Sequence, residues 1–240
     1  IDLMRIAGRI VAETLLLVEK EVKPGITTAE LDRIAEEFIT KHGATPSFKG
    51  LYGFPASLCI SVNEQVVHGI PGGYVLKEGD IISVDCGAHI NGFHGDAART
   101  FAVGNISDEA KRLIQVTEES FFKGIEFAKP GNRLTDISHE IQRYVEVSGF
   151  SVVRDFVGHG IGKSVHEDPE VPNFGRPGRG PKLVAGMTLA IEPMVNMGTY
   201  RVATLGDDWT VVSADKSLSA HYENTVVILP DGPEILTLIK

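Results

Sequence analysis

The chain repeats itself once, and this repeat constrains its fold more than any other feature. Shifted by 106 residues, Lys23-Pro24-Gly25 falls on Lys129-Pro130-Gly131, Leu31 on Ile137, Ala35 on Ile141, Phe38 on Tyr144, Ile39 on Val145 and Gly43 on Gly149. Punctuation and apolar face recur together, which a chance match would not do. Shifted by 107, Gly79 falls on Gly186 and Asp85 on Glu192, so the matched runs Ser83-Val84-Asp85 and Ala190-Ile191-Glu192 both end in an acid. Two copies are too few for a solenoid. They imply two α/β halves, about 1–105 and 106–240, packed about a pseudo-twofold axis with acids from both meeting at the centre.

Each half opens on helical spacing. Residues 3 to 20 put Leu3, Ile6, Ala7, Ile10, Val11 and Leu17 on one face before Lys23-Pro24-Gly25 ends the segment. A second helix starts at the capping box Thr27-Thr28-Ala29-Glu30, carries Leu31, Ile34, Ala35, Phe38 and Ile39, and stops at Gly43. Ser107 or Asp108 caps a third through Leu113, Ile114, Val116 and Phe121, which reads the Asn105-Ile106-Ser107 sequon as a helix start. Strand-like segments run up to Val103. The expected fold class is α+β, helices covering one curved, mostly antiparallel sheet. Residues 172–182 (PNFGRPGRGPK) read as an exposed surface loop.

With 240 residues, 42% of them hydrophobic, the chain can bury a sizeable core, and we expect 1–240 to form one catalytic domain. A net charge of -9 argues against nucleic acid or an anionic membrane as partner, because phosphates demand a surplus of Lys and Arg. Cys59 and Cys86, the only cysteines, lie in apolar runs and cannot supply a disulfide framework, which points to a reducing, cytoplasmic compartment. No apolar run reaches membrane-spanning length and the amphipathic start is unlike a signal peptide, so neither anchor nor leader is expected. The isoleucine at position 1 leads us to expect a short native segment before it.

The acids carry the chemistry. Asp85 follows the β-branched run Ile81, Ile82, Val84, and Asp96 follows Asn91-Gly92, a strong hairpin signal. A hairpin there brings the two aspartates roughly opposite each other. Close buried carboxylates repel unless a cation lies between them or one holds a proton. The second half adds Val157-Gly158-His159-Gly160-Ile161-Gly162, Ser164-Val165-His166-Glu167-Asp168-Pro169, Ile191-Glu192-Pro193-Met194 and His221-Tyr222-Glu223-Asn224-Thr225. Singly, His159 reads equally as a core imidazole, Glu192 as a strand-end acid and Glu223 as a surface residue. Together they are four acids among apolar neighbours, and four converging carboxylates without cations would cost many kcal/mol. That reading is a metal site.

The ordered set VVHGIP, SVDCG, GDAART, VGHGIG, VHEDP, AIEPM and AHYENTVVI resembles the type I methionine aminopeptidases over nearly the whole chain. The resemblance implies the pita-bread fold with its internal twofold, and two divalent metals held by Asp85, Asp96, His159, Glu192 and Glu223, Asp96 and Glu223 bridging. It implies removal of initiator methionine from nascent chains, some of them at the ribosome, when the second residue is small, by a metal-bound hydroxide that attacks the scissile carbonyl. His68 and His166 match the family's non-ligand histidines, the first near the scissile amide and the second donating to its carbonyl oxygen; without the resemblance both read as structural histidines. Glu192 is implied as proton shuttle, and Cys59, Tyr52, Phe54 and Trp209, with His68 at the edge, as walls of the methionine pocket. The family form is a monomer.

Independent chemistry agrees with that ligand set. Two divalent ions balance four carboxylates, and one imidazole among oxygens favours manganese, iron(II) or cobalt while still admitting zinc. Departures from the family pattern are Val165 and Leu51, where many relatives carry aromatics, and they bear on pocket width. The chain also lacks a cysteine-rich extension and the helical insertion of type II enzymes. Two other readings follow from the same fold: a binding module that has lost catalysis, which predicts missing ligands, and a proline-specific peptidase, which usually carries a further N-terminal domain.

Overall fold

The computed structural model describes residues 1–239. Its helices are α1 (Asp2–Glu21), α2 (Thr28–Lys41), α3 (Asp108–Ile125) and α4 (Leu134–Val147), and α2 and α4 begin and end 106 residues apart. The repeat is therefore structural. Leu31, Ala35 and Ile39 of α2 and their counterparts Ile137, Ile141 and Val145 of α4 are all fully buried. The capping box forms at Thr27 and Glu30. Its counterpart keeps only the acid, Asp136 accepting from Arg133 N at 2.8 Å.

Strand pairing repeats too, and every pairing is antiparallel. In the first half Leu58–Val62, Ile81–Ile90 and Phe93–Ala102 lie side by side. In the second, Gly158–Gly160, Thr188–Ile191 and Asn224–Leu229 take the same order. Ile81 pairs with Ala102 as Thr188 pairs with Val227, which reveals a further shift, of 125 residues, between the outer strands. Under it Ala98 corresponds to Glu223, and these two exchange both backbone hydrogen bonds (3.3 and 3.0 Å) at the pseudo-twofold axis. The single curved sheet expected from the sequence is thus assembled from hydrogen-bonded sheets joined at that axis.

Two expectations need correction. Leu3 and Ile6 are exposed, and α1 instead buries Met4, Ala7, Gly8, Val11, Leu15 and Val18. The face turns because Gly8 sits against backbone: a Cβ there would lie 2.3 Å from the Leu236 carbonyl oxygen, and one on Gly95 2.8 Å from Gly8 N. The 172–182 loop is exposed from Arg176 to Lys182, yet Asn173 is fully buried. The loop caps α4, since Leu134 N and Thr135 N donate to the carbonyls of Pro181 and Arg179. Ser107 caps α3, accepting from Ala110 N.

Candidate metal centre

The Ile81–Ile90/Phe93–Ala102 hairpin turns at Asn91 and Gly92, both at positive φ, as a tight two-residue turn requires. Its register pairs Asp85 with Ala98 and Asp96 with Gly87. The two aspartates are therefore not directly opposite but offset by two, which keeps them on one face of the hairpin. Glu192 follows the strand Thr188–Ile191, Glu223 precedes Asn224–Leu229, and His159 lies in Gly158–Gly160 beside Ala190. Both halves thus aim acids at the axis.

All five predicted residues converge there. His159 Nε2 lies 4.0 Å from Asp96 Oδ2 and 3.7 Å from Glu192 Oε1. Asp96, His159 and Glu223 each offer an atom within 4.8 Å of the others, and so do Glu192, His221 and Glu223. Glu223 belongs to both sets. Asp85 lies outside these two triplets but close enough to Asp96 and Glu192 that the charges repel. His221 was not singled out from the sequence. The shift of 125 is the signal that would have found it, because it matches His221 to Asp96 and Thr225 to Thr100.

The centre fits cations. Asp85 Oδ1, Asp96 Oδ1 and Glu223 Oε1 are buried without hydrogen-bond partners, a costly arrangement for isolated carboxylates. Burial pushes Asp85 and Glu192 up to about 7. Asp96 and Glu223 are likewise pushed well above the ordinary carboxylate range, by burial and then by neighbouring carboxylates. A divalent ion reverses that repulsion. Behind the centre, Asn173 donates to the Glu192 carbonyl (3.0 Å). Arg99 donates to the carbonyls of Ala98 and Glu223 and to Asn224 Oδ1 (2.7 Å).

A cleft of about 790 Å³ opens onto the acids. Beside them its wall is apolar, formed by Phe48, Leu51, Phe54, Cys59 and Trp209 and backed by Ala56, Ile70 and Val165. Trp209 meets Phe54 edge-on at 5.1 Å. Phe48, Val67, Phe156 and Met194 are lining residues the sequence reading missed. Tyr52, expected as a wall, lines the cleft on its open side, where it is 76% exposed and stacks on His166 at 5.9 Å. His166 also meets His159 edge-on at 4.5 Å. His68 has φ 59 and faces Phe156 and Trp209, and burial lowers it to about 4. Burial lowers His166 and His159 as well, so the imidazoles are neutral donors or ligands near pH 7. Glu167, Asp168 and Glu170 give the mouth an acidic rim. Both cysteines are free and buried. Among the described residues no helix is long and apolar enough to cross a membrane.

Comparison with known proteins agrees with this geometry. Residues 2–230 match metallopeptidase family M24. The chain is 79% identical over 240 residues to methionine aminopeptidase of Clostridium perfringens, covering 100% of this chain and 96% of that one. The crystal structure of methionine aminopeptidase from Thermotoga maritima is similar at TM-score 0.98 and 48% identity, covering 99% of this chain and 96% of that one. A prolidase from Pyrococcus furiosus shares the fold at TM-score 0.81 and 21% identity, and this chain spans only 64% of it. The twofold frame, the converging acids and the full-length match together make this chain a member of the methionine aminopeptidases of metallopeptidase family M24.

Proposed function

We propose that this protein removes N-terminal methionine from nascent chains whose second residue is small, and that residues 1–240 form one catalytic domain for that task. The observation that carries the proposal is the junction of an apolar pocket with four converging carboxylates, Asp96 and Glu223 buried and Asp85 and Glu192 half-buried. The cations would be held by Asp85, Asp96, His159, Glu192 and Glu223, with Asp96 and Glu223 shared between them. Oxygen-rich ligation favours manganese, iron(II) or cobalt, with zinc admissible. When bound, two divalent ions keep the carboxylates ionised, polarise the scissile carbonyl and acidify a water.

This chain's own residues do the rest. The thioether side chain enters between Cys59, Phe54 and Trp209, where sulfur and aromatic surface suit it. Its free α-amine meets the carboxylates, and the acidic rim favours the approach of a cationic terminus. His166, neutral and held between Tyr52 and His159, donates a ring N–H to the scissile carbonyl oxygen as charge develops there. His68, at the pocket edge, hydrogen-bonds the scissile amide. Glu192 takes the proton of the attacking water and delivers it to the leaving amine. The working form is a cytoplasmic monomer that meets its substrates as they emerge from the ribosome and binds neither nucleic acid nor membrane.

Hydrolysis of Met-Ala-Ser and Ala-Pro peptides by chelator-stripped protein, before and after addition of manganese or cobalt, tests this reading. Metal-dependent release of methionine alone is expected. Release of proline peptides only, or no metal response, would refute it.

A further inference from the structure

His221 occupies the position that mirrors Asp96 across the pseudo-twofold axis. The backbone shows the match: Thr225 Oγ1 donates to the Asp96 carbonyl (2.9 Å) and accepts from Asp96 N (2.9 Å). Thr100 Oγ1 does the same for His221, at 2.9 Å in both directions. The imidazole is 2% exposed, and its Nε2 is buried, without a regular hydrogen bond, 3.4 Å from Glu192 Oε2. The other oxygen of that carboxylate, Oε1, faces His159 Nε2 at 3.7 Å. Glu192 therefore has one imidazole on each oxygen.

A ring nitrogen facing an ionised carboxylate carries hydrogen unless a cation lies between them, since a lone pair there would repel the acceptor; His159 differs because its Nδ1 donates to the Gly160 carbonyl (2.9 Å), which leaves its Nε2 as the lone pair. We propose that His221 is a positioning residue of the metal centre, its Nε2–H holding Glu192 Oε2 so that Glu192 turns the single oxygen Oε1 toward a cation shared with His159. The proposal rests on the metal-centre reading above. It makes the two mirrored positions serve one site differently: Asp96 offers an oxygen to cations, and His221 orients the acid that does so. An outer partner that orients a ligand is commonly worth about 10–100-fold in metal affinity.

The test compares His221→Gln, which keeps a side-chain N–H donor, with His221→Leu, which keeps the bulk and removes it. Calorimetric titration of the metal-stripped proteins with cobalt is expected to leave His221→Gln within about threefold of the parent. His221→Leu is expected to bind about 10–100-fold more weakly. Equal affinity for His221→Leu and parent would overturn the proposal while leaving the metal centre intact; a parent that binds no cobalt would overturn the metal centre itself. Nitrogen-15 NMR of the unaltered protein, labelled at histidine and titrated with zinc, keeps the test independent of variant folding. His221 Nε2 should stay protonated while His159 Nε2 takes a metal-bound shift. An unprotonated, metal-shifted His221 Nε2 would make it a ligand and overturn the positioning role.

Discussion

The two halves share a frame and differ in what they hang on it. The first presents its acids from one uninterrupted hairpin of two ten-residue strands. The second interrupts the equivalent strands with four short ones between Met194 and His221, and that insertion carries Trp209. At matched positions Asp85 faces Glu192 in kind, Asp96 faces His221, and Ala98 faces Glu223. The symmetric backbone decides where side chains meet, and the unmatched residues give the site a direction. Among the described residues of the cleft, the apolar wall at Phe54, Cys59 and Trp209 lies on one flank of the acids, and the proposed function therefore gives a peptide one way to lie.

The largest expected effect breaks the one pair that matches in kind. Asp85→Asn and Glu192→Gln should both weaken cation binding, but at saturating cation Glu192→Gln should lose about 10²–10⁴-fold more turnover, because the proposed function gives only Glu192 a proton to transfer. Equal kcat values would remove that distinction. The fold should survive both, since each replaces a carboxylate that burial already penalises.

Next is pH, which tests whether acids from both halves are strained together. The folded cation-free protein holds Asp96 and Glu223 protonated well above the ordinary carboxylate range, whereas the unfolded chain has released those protons by pH 5. Raised folded values mean stability that falls as pH rises. His68, His94, His159, His166 and His221 are lowered on folding and pull the other way until the unfolded chain sheds its histidine protons, so between about pH 7.5 and 8 the loss belongs mainly to the acids. It should reach about 1.4 kcal/mol per pH unit for each carboxyl still protonated. Urea unfolding of metal-stripped protein across that window checks the slope, and bound manganese should flatten it.

Arg99 and its mirror residue Asn224 bond each other at the axis, Nη2 to Oδ1 at 2.7 Å. Arg99→Met would leave the Ala98 and Glu223 carbonyls without this donor and should destabilise the fold by about 3 kcal/mol. Thr100→Val and Thr225→Val sharpen the comparison at smaller scale. Each removes one reciprocal pair of hydrogen bonds and should cost about 1–2 kcal/mol. Cobalt affinity should fall further for Thr225→Val, which releases Asp96. The smallest effect belongs to Tyr52→Ala on the open side of the cleft: stability within about 0.5 kcal/mol of the parent, and a modest fall in kcat for Met-Ala-Ser as His166 loses its stacking partner.

Much of this was legible in the sequence because repeats and strand-end acids are local signals. The matched Lys-Pro-Gly segments and the capping box foretold α2 and α4, and apolar runs ending in acids foretold Asp85 and Glu192. What escaped depends on contacts distant in sequence. The exposure of Leu3 and Ile6 follows from the close approach of Gly8 to Leu236 and Gly95. His221 escaped because the insertion changes the repeat from 107 to 125 residues, so a single shift cannot align both strands. Phe48 and Phe156 join the pocket only through tertiary packing. Tyr52 sits beside Leu51 in sequence yet faces outward, since its positive φ of 51 turns the chain there.

The central claim is that one cation centre is assembled at the axis from both halves. Anomalous scattering from crystals loaded with manganese tests it most directly. The account predicts peaks enclosed jointly by Asp85 and Asp96 of the hairpin and by His159, Glu192 and Glu223 of the second half. Peaks held by one half alone, or only by surface acids, would contradict it.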